Sequence, residues 1–122
     1  MTDKNIRLDF EFWGHDVIKV NLSGRLDFLG TQAIEKEFAA LIASHDAPFL
    51  VDLSEVTFLA SLGIRMLIFS AKELAKRGGR MVLYRPQPNV REVLQASGVS
   101  SLIRIYHDIQ DAMDALTSRQ SE

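Results

Sequence analysis

From Val51 to Ser70 the chain reads Val-Asp-Leu-Ser-Glu-Val-Thr-Phe-Leu-Ala-Ser-Leu-Gly-Ile-Arg-Met-Leu-Ile-Phe-Ser, and this stretch limits the fold more than any other. Pro48 opens a run, Phe49 to Leu53, that is apolar except for Asp52. Such a run predicts a strand buried in the middle of a sheet. A sharp turn follows, and then the period changes to that of a helix. At about 100° per residue, Ile64, Leu67, Ile68, Ala71, Leu74 and Ala75 share one stripe, the spacing of a core-facing helix side. Leu62, Met66 and Phe69 fall on roughly the opposite side, near Glu73, with Arg65 and Lys72 between the two.

A helix lying on one sheet needs only one apolar stripe. The second is either covered by another segment of the domain, as in a helix that is apolar all round, or exposed as a patch for a partner protein. Methionine and phenylalanine suit such patches because they supply large, adaptable apolar area. Ser61, where the helix begins, also has two readings. Serine just before a helix ordinarily caps it by accepting a hydrogen bond from a free backbone N–H. The same place suits a phosphate, which the helix dipole and free N–H groups favour. Phosphorylation there adds about −1.5 to −2 charges without melting the helix. Basic residues and then glycine at Lys76-Arg77-Gly78-Gly79 end it.

Before this unit, Ile6, Leu8, Phe10 and Phe12 alternate with Arg7, Asp9 and Glu11, the pattern of a half-exposed strand. Trp13-Gly14-His15-Asp16 is a turn, and Val17 to Leu22 is a second strand closed by Ser23-Gly24, so the two strands predict an antiparallel hairpin. A helix from about Thr31 to Ser44 follows, with Ile34, Phe38, Leu41 and Ile42 inward. After it come the central unit, a strand at Met81–Tyr84 and a loop marked by Pro86 and Pro88. Asn89 and Glu92 have capping-box spacing, and Val90, Val93, Leu94 and Ser97 line a short helix stopped by Gly98. Ile103–Tyr106 is the last strand. Asp108 caps a final helix with Ile109, Ala112, Met113 and Leu116 inward, and a polar tail starts at about Thr117. A hairpin followed by alternating helices and strands predicts a single α/β domain over residues 1–122, its mixed sheet mostly parallel with an antiparallel edge.

With 122 residues, one domain is the expectation, and a net charge of −2 gives no reason to expect nucleic acid or an anionic membrane as partner. The absence of cysteine excludes disulfides, thiol catalysis and cysteine–zinc sites. The charged N-terminus lacks a signal peptide's apolar core, and no apolar run reaches the length of a membrane span, so a soluble cytoplasmic protein is expected. His15, His45 and His107 have no metal-ligand spacing. Gly78-Gly79 ends a helix, whereas phosphate-binding glycines precede one. Leu59-Ala-Ser-Leu-Gly63 is similar to a strand–serine–helix elbow but lacks the glycine two residues before the serine, and no histidine is paired with it. No metal and no catalytic constellation are expected.

These segments together resemble the STAS family, the sulphate-transporter and anti-sigma-factor-antagonist domains. Gly24-Arg-Leu-Asp27 is similar to the family's early Gly-x-Leu-Asp turn, and Val51–Phe58 to its central strand. Ala60-Ser-Leu-Gly63 aligns with its Asp-Ser-Ser/Thr-Gly phosphorylation motif. Gly78-Gly-Arg-Met-Val-Leu83, Val90-Arg-Glu-Val-Leu94 and Gly98 follow the later pattern. Two positions depart from it. Ala60 replaces the aspartate before the serine and removes a carboxylate that could orient Ser61. Leu62 replaces a hydroxyl residue, which removes an alternative acceptor and adds apolar surface.

The small form resembles the bacterial anti-sigma-factor antagonists, phosphoproteins of partner-switching signal transduction that regulate transcription. The resemblance implies an antagonist that binds a serine-kinase anti-sigma factor when unphosphorylated, is released by phosphorylation at Ser61, and is reset by a phosphatase. It would be a substrate and a ligand rather than an enzyme, without a cofactor of its own. ATP and magnesium would belong to the kinase. The implied partner-binding set is Leu62, Arg65, Met66 and Phe69, with Asp27 from the early turn. Two other readings stand beside it: an accessory subunit that clamps a membrane transporter's ATPase through the same helix face, and a scaffold subunit of a stress-sensing assembly.

Overall fold

The computed structural model describes residues 6–14 and 16–117. Its elements are β1 (Ile6–Trp13), β2 (Val17–Leu26), α1 (Phe28–Ala43), β3 (Phe49–Leu59), α2 (Ser61–Lys76), β4 (Met81–Tyr84), α3 (Pro88–Ala96), a 3-10 turn (Val99–Ser101), β5 (Arg104–Tyr106) and α4 (Ile109–Thr117). The five strands lie in sequence order in one sheet. β1 and β2 form the antiparallel hairpin, and every later neighbour pair is parallel. The expected α/β class and mixed sheet are therefore what the chain adopts.

Alternation along the strands sorts side chains onto two faces. Ile18, Val20, Leu22, Phe49, Val51, Leu53 and Leu83 pack in one core with Ile34, Phe38 and Leu41 of α1, Leu67 and Leu74 of α2, and Val90 and Leu94 of α3. Val17, Leu50, Val82 and Tyr84 point to the other face and pack with Ala112 and Leu116 of α4. Asp52, the polar residue of the central strand, pairs with Lys19 of β2 at 3.1 Å and accepts a hydrogen bond from the Ser54 N–H.

Several boundaries differ from expectation, each for a local reason. β2 does not close at Ser23-Gly24 but continues to Leu26, with register irregularities between Asn21 and Ser23 and between Gly24 and Arg25. Gly24 takes φ +114°, a conformation that favours glycine, and the chain stays paired with β3. β3 lengthens with it, so that Leu26 sits opposite Leu59. α1 begins at Phe28 rather than Thr31, because Asp27 caps it. α3 begins at Pro88 after Gln87, with proline in the first turn where its missing N–H costs nothing. Asn89, expected as the cap, instead donates to the Thr57 carbonyl. Asp108 does cap α4, accepting from the Gln110 and Asp111 N–H groups. Thr117 ends α4 rather than starting the tail. The rest of that tail and His15 lie outside the described residues.

Candidate partner-docking site

The site lies where β2 and β3 end and α1 and α2 begin. The Ala60 N–H donates to the Leu26 carbonyl at 3.0 Å, which ties the start of α2 to the end of β2. Gly63 allows the close approach. A Cβ there would stand 2.8 Å from Leu59 Cδ1 and 3.1 Å from Leu26 Cβ.

Ala60 occupies the cap position of α2, with extended backbone and no side-chain bond to the free N–H groups. Ser61 is therefore the first helical residue and not the cap, which removes the capping role as the reason for a serine here. Its side chain is exposed, and its hydroxyl makes no hydrogen bond to any described residue. The helix nonetheless closes its first turn, with the Ile64 N–H on the Ala60 carbonyl at 3.1 Å.

Asp27 is occupied by structure on both oxygens. Oδ1 accepts the Gly30 N–H at 2.8 Å and caps α1. Oδ2 pairs with Arg25 Nε at 3.2 Å. The Gly30 hydrogen bond is the main reason its carboxyl lies below the usual aspartate range, and Arg25 adds to the effect against the opposing pull of desolvation. A side chain at Gly30 would collide with the Arg25 carbonyl, so the turn is built around its capping bond. Arg25 in turn lies 4.3 Å over the Phe58 ring.

The second stripe of α2 faces a groove shared with α1. An open recess of about 310 Å³ is lined by Glu35 and Ala39 of α1 and by Leu62, Arg65, Met66, Phe69 and Ser70 of α2. A smaller one of about 170 Å³ continues it past Phe69 toward Ala43, Glu73 and Arg77. Leu62, Arg65, Met66 and Phe69 are thus brought together. Leu62 and Met66 are half-buried, and Met66 leans on the main core. Phe69 is 63% exposed. Asp27 does not line this groove.

Sequence reasoning missed three large exposed apolar side chains at this end of the sheet, Phe28 at 60%, Leu29 at 68% and Phe58 at 37%. A signal for the first two existed. Projecting the Ile34–Phe38 stripe of α1 back by three and four residues reaches Thr31 and Gly30, which are buried, and leaves Phe28 and Leu29 off the stripe. Among the described residues no cluster of three or more His, Cys, Asp or Glu could hold a metal. No helix among them is long and apolar enough to cross a membrane.

Comparison with known proteins agrees with this architecture. The STAS domain family matches residues 14–112. BtrV of Bordetella bronchiseptica is 29% identical over 94 residues, covering 77% of this chain and 81% of that protein. The anti-sigma F factor antagonist of Lysinibacillus sphaericus is 25% identical over 95 residues, covering 77% and 81%. The crystal structure of an anti-sigma factor antagonist from Mycobacterium paratuberculosis superposes with a TM-score of 0.82 at 26% identity, over 93% of this chain and 95% of that one. A strand, an exposed serine at the first position of the next helix, and a family match over residues 14–112 around it lead to one conclusion: this chain belongs to the STAS domain family.

Proposed function

We propose that this protein is an anti-sigma-factor antagonist that works as a partner switch, with Ser61 as its phosphorylation site. The observation that carries the reading is the exposed Ser61 hydroxyl, without a hydrogen bond among the described residues, at the head of the helix whose next turns line an apolar groove. Relatives named as anti-sigma factor antagonists support it. In the unphosphorylated state, a serine-kinase anti-sigma factor docks on Leu62, Met66 and Phe69, with Arg65 and the Asp27 turn at the margin. In the phosphorylation step, Ser61 Oγ attacks the γ-phosphorus of ATP, ADP leaves, and the hydroxyl proton passes to a base of the kinase.

The phosphate then acts on docking rather than on the fold. Free N–H groups at the start of α2 tolerate an anion, and Arg65 lies one turn on, at the spacing that places both on one helix face. A partner that seals the groove must strip water from about −1.5 to −2 charges beside Leu62, so it lets go. Removal of the phosphate by a phosphatase restores the apolar surface.

The test is phosphopeptide mapping with the cognate kinase and Mg-ATP, followed by titration calorimetry of three forms. One phosphate on Ser61 is expected. Ser61→Ala resists modification and binds as the unmodified protein does, while Ser61→Asp binds more weakly. Equal binding by the alanine and aspartate variants, or modification elsewhere, overturns the reading. Partner capture that ignores the charge at position 61 would favour the transporter-subunit or scaffold role instead.

A further inference from the structure

A second recess lies away from the docking groove, on the side of the sheet edge formed by β5. It is open, about 540 Å³, and its lining includes Arg91 of α3, Ser100 and Ser101 of the 3-10 turn, and Arg104 and His107 at the two ends of the β5 segment. Among the described residues no carboxylate lines it. Arg91 Nη1 donates to His107 Nε2 at 3.3 Å, which ties the two sides of the recess together. Four cations elsewhere meet carboxylates, Lys19 with Glu11 and Asp52, Arg25 with Asp27, Lys76 with Glu73 and Arg77 with Asp46, whereas others among the described residues, such as Arg65, Lys72 and Arg85, do not. Among the described residues neither Arg91 nor Arg104 has such a partner. The chain as a whole carries a net charge of −2, so a basic excess at one recess is not a consequence of composition.

We propose that this recess binds a phosphate dianion, held between Arg91 and Arg104. The guanidinium is planar and presents paired N–H donors that match phosphate oxygens two at a time. The two arginines come from different elements whose positions the core sets, through Val90 and Leu94 of α3 and through Ile103 just before β5. Both line the same recess. The exposed Ser100 hydroxyl offers a further donor. The Ser101 hydroxyl is already committed to the Gly98 carbonyl at 2.8 Å and holds the turn in shape. The recess is larger than a phosphate, so inorganic phosphate and the phosphoryl group of a small organic monoester both fit this chemistry. The site is independent of the partner-switch reading, which uses none of these residues.

The experiment is a titration followed by two-dimensional ¹H–¹⁵N NMR, at constant ionic strength and with chloride as the blank. Inorganic phosphate forms one arm and O-phosphoserine the other. Saturable shifts confined to the neighbourhood of Arg91, Ser100, Ser101, Arg104 and His107 are expected in both. Tighter binding of O-phosphoserine assigns the site to a monoester, and equal binding assigns it to the phosphate group alone. Arg104→Glu, on an exposed edge-strand residue, should weaken binding by about tenfold or more. Arg91→Gln should weaken it as well, and Arg85→Gln, outside the recess, should not. If Arg91→Gln perturbs the fold, Arg104→Glu decides alone. Shifts that do not saturate, that spread evenly over the surface, or that persist unchanged in Arg104→Glu would overturn the proposal.

Discussion

Ser61 and Asp27 were both legible in the sequence as candidates, and the structure separates what each does locally. Ser61 stands one position too far into α2 to cap it, so its side chain is not consumed by the fold. Asp27 is the reverse, since both of its oxygens serve α1 and Arg25. Its lowered pKa makes it a source of acid-dependent stability. An aspartate held below its unfolded value of about 3.9 stabilises the fold fully above that pH, and the contribution fades as pH falls toward the folded value. Asp27→Asn keeps a capping oxygen, since asparagine caps nearly as well, but it cannot titrate. Stability curves for the two proteins should therefore run apart at neutral pH and converge as pH drops below about 4. Urea titrations across pH 2.5 to 7 would show it, and parallel curves would mean that the Asp27 charge contributes nothing. Phe28 and Leu29 were legible only by carrying the α1 stripe back past Thr31, and Phe58 was not, because its exposure depends on where its strand ends, the least certain feature of a sequence reading.

At the level of the element, α2 was read well from its period, with one rotation of the buried arc. Leu67 and Leu74 are buried and Ile64, Ile68 and Ala71 half-buried, as the spacing predicts. Ala75, expected on the core stripe, is exposed, whereas Ser70, which no stripe included, is buried. The helix packs against α1 as well as against the sheet, so its buried side turns toward Ser70, whose small side chain faces Ala39 across the groove. Whether the second stripe was core or surface could not be read from α2 alone, because it depends on how near α1 comes. The structure turns that question into a measurable contrast. Leu67 is 0% and Phe69 63% exposed. Leu67→Ala should cost about 2–5 kcal/mol of unfolding free energy. Phe69→Ala should lie within about 0.5 kcal/mol of wild type, as surface changes usually do, and should lose partner binding selectively. Equal shifts of the two denaturation midpoints would put Phe69 in the core and remove it from the docking surface.

For the molecule as a whole, a hairpin followed by alternating strands and helices was readable in order, but the cover of each face was not. The reason lies in the connections. Three successive parallel crossovers of the same hand place α1, α2 and α3 on one face. α4 follows the last strand and has no strand to reach, so local pattern does not say which side it takes. The demand comes from Val17, Leu50, Val82 and Tyr84, which face away from the other helices and need a lid. α4 supplies Ala112 and Leu116, and Arg80 Nη1 fastens it by donating to the Ala115 carbonyl at 2.6 Å. Burying a large apolar side chain is worth about 1.5–3 kcal/mol, and several lose their cover together if α4 goes. That sum rivals the whole stability of an ordinary domain, about 5–15 kcal/mol. A chain stopped after His107 should therefore lose its cooperative thermal transition and bind a hydrophobic dye, although every strand of the sheet remains. Ala112→Asp, which puts a carboxylate at a fully buried position, should move the full-length protein in the same direction. If the shortened chain melts cooperatively near the wild-type temperature, the core beneath α1, α2 and α3 suffices alone, and α4 is not required for the fold.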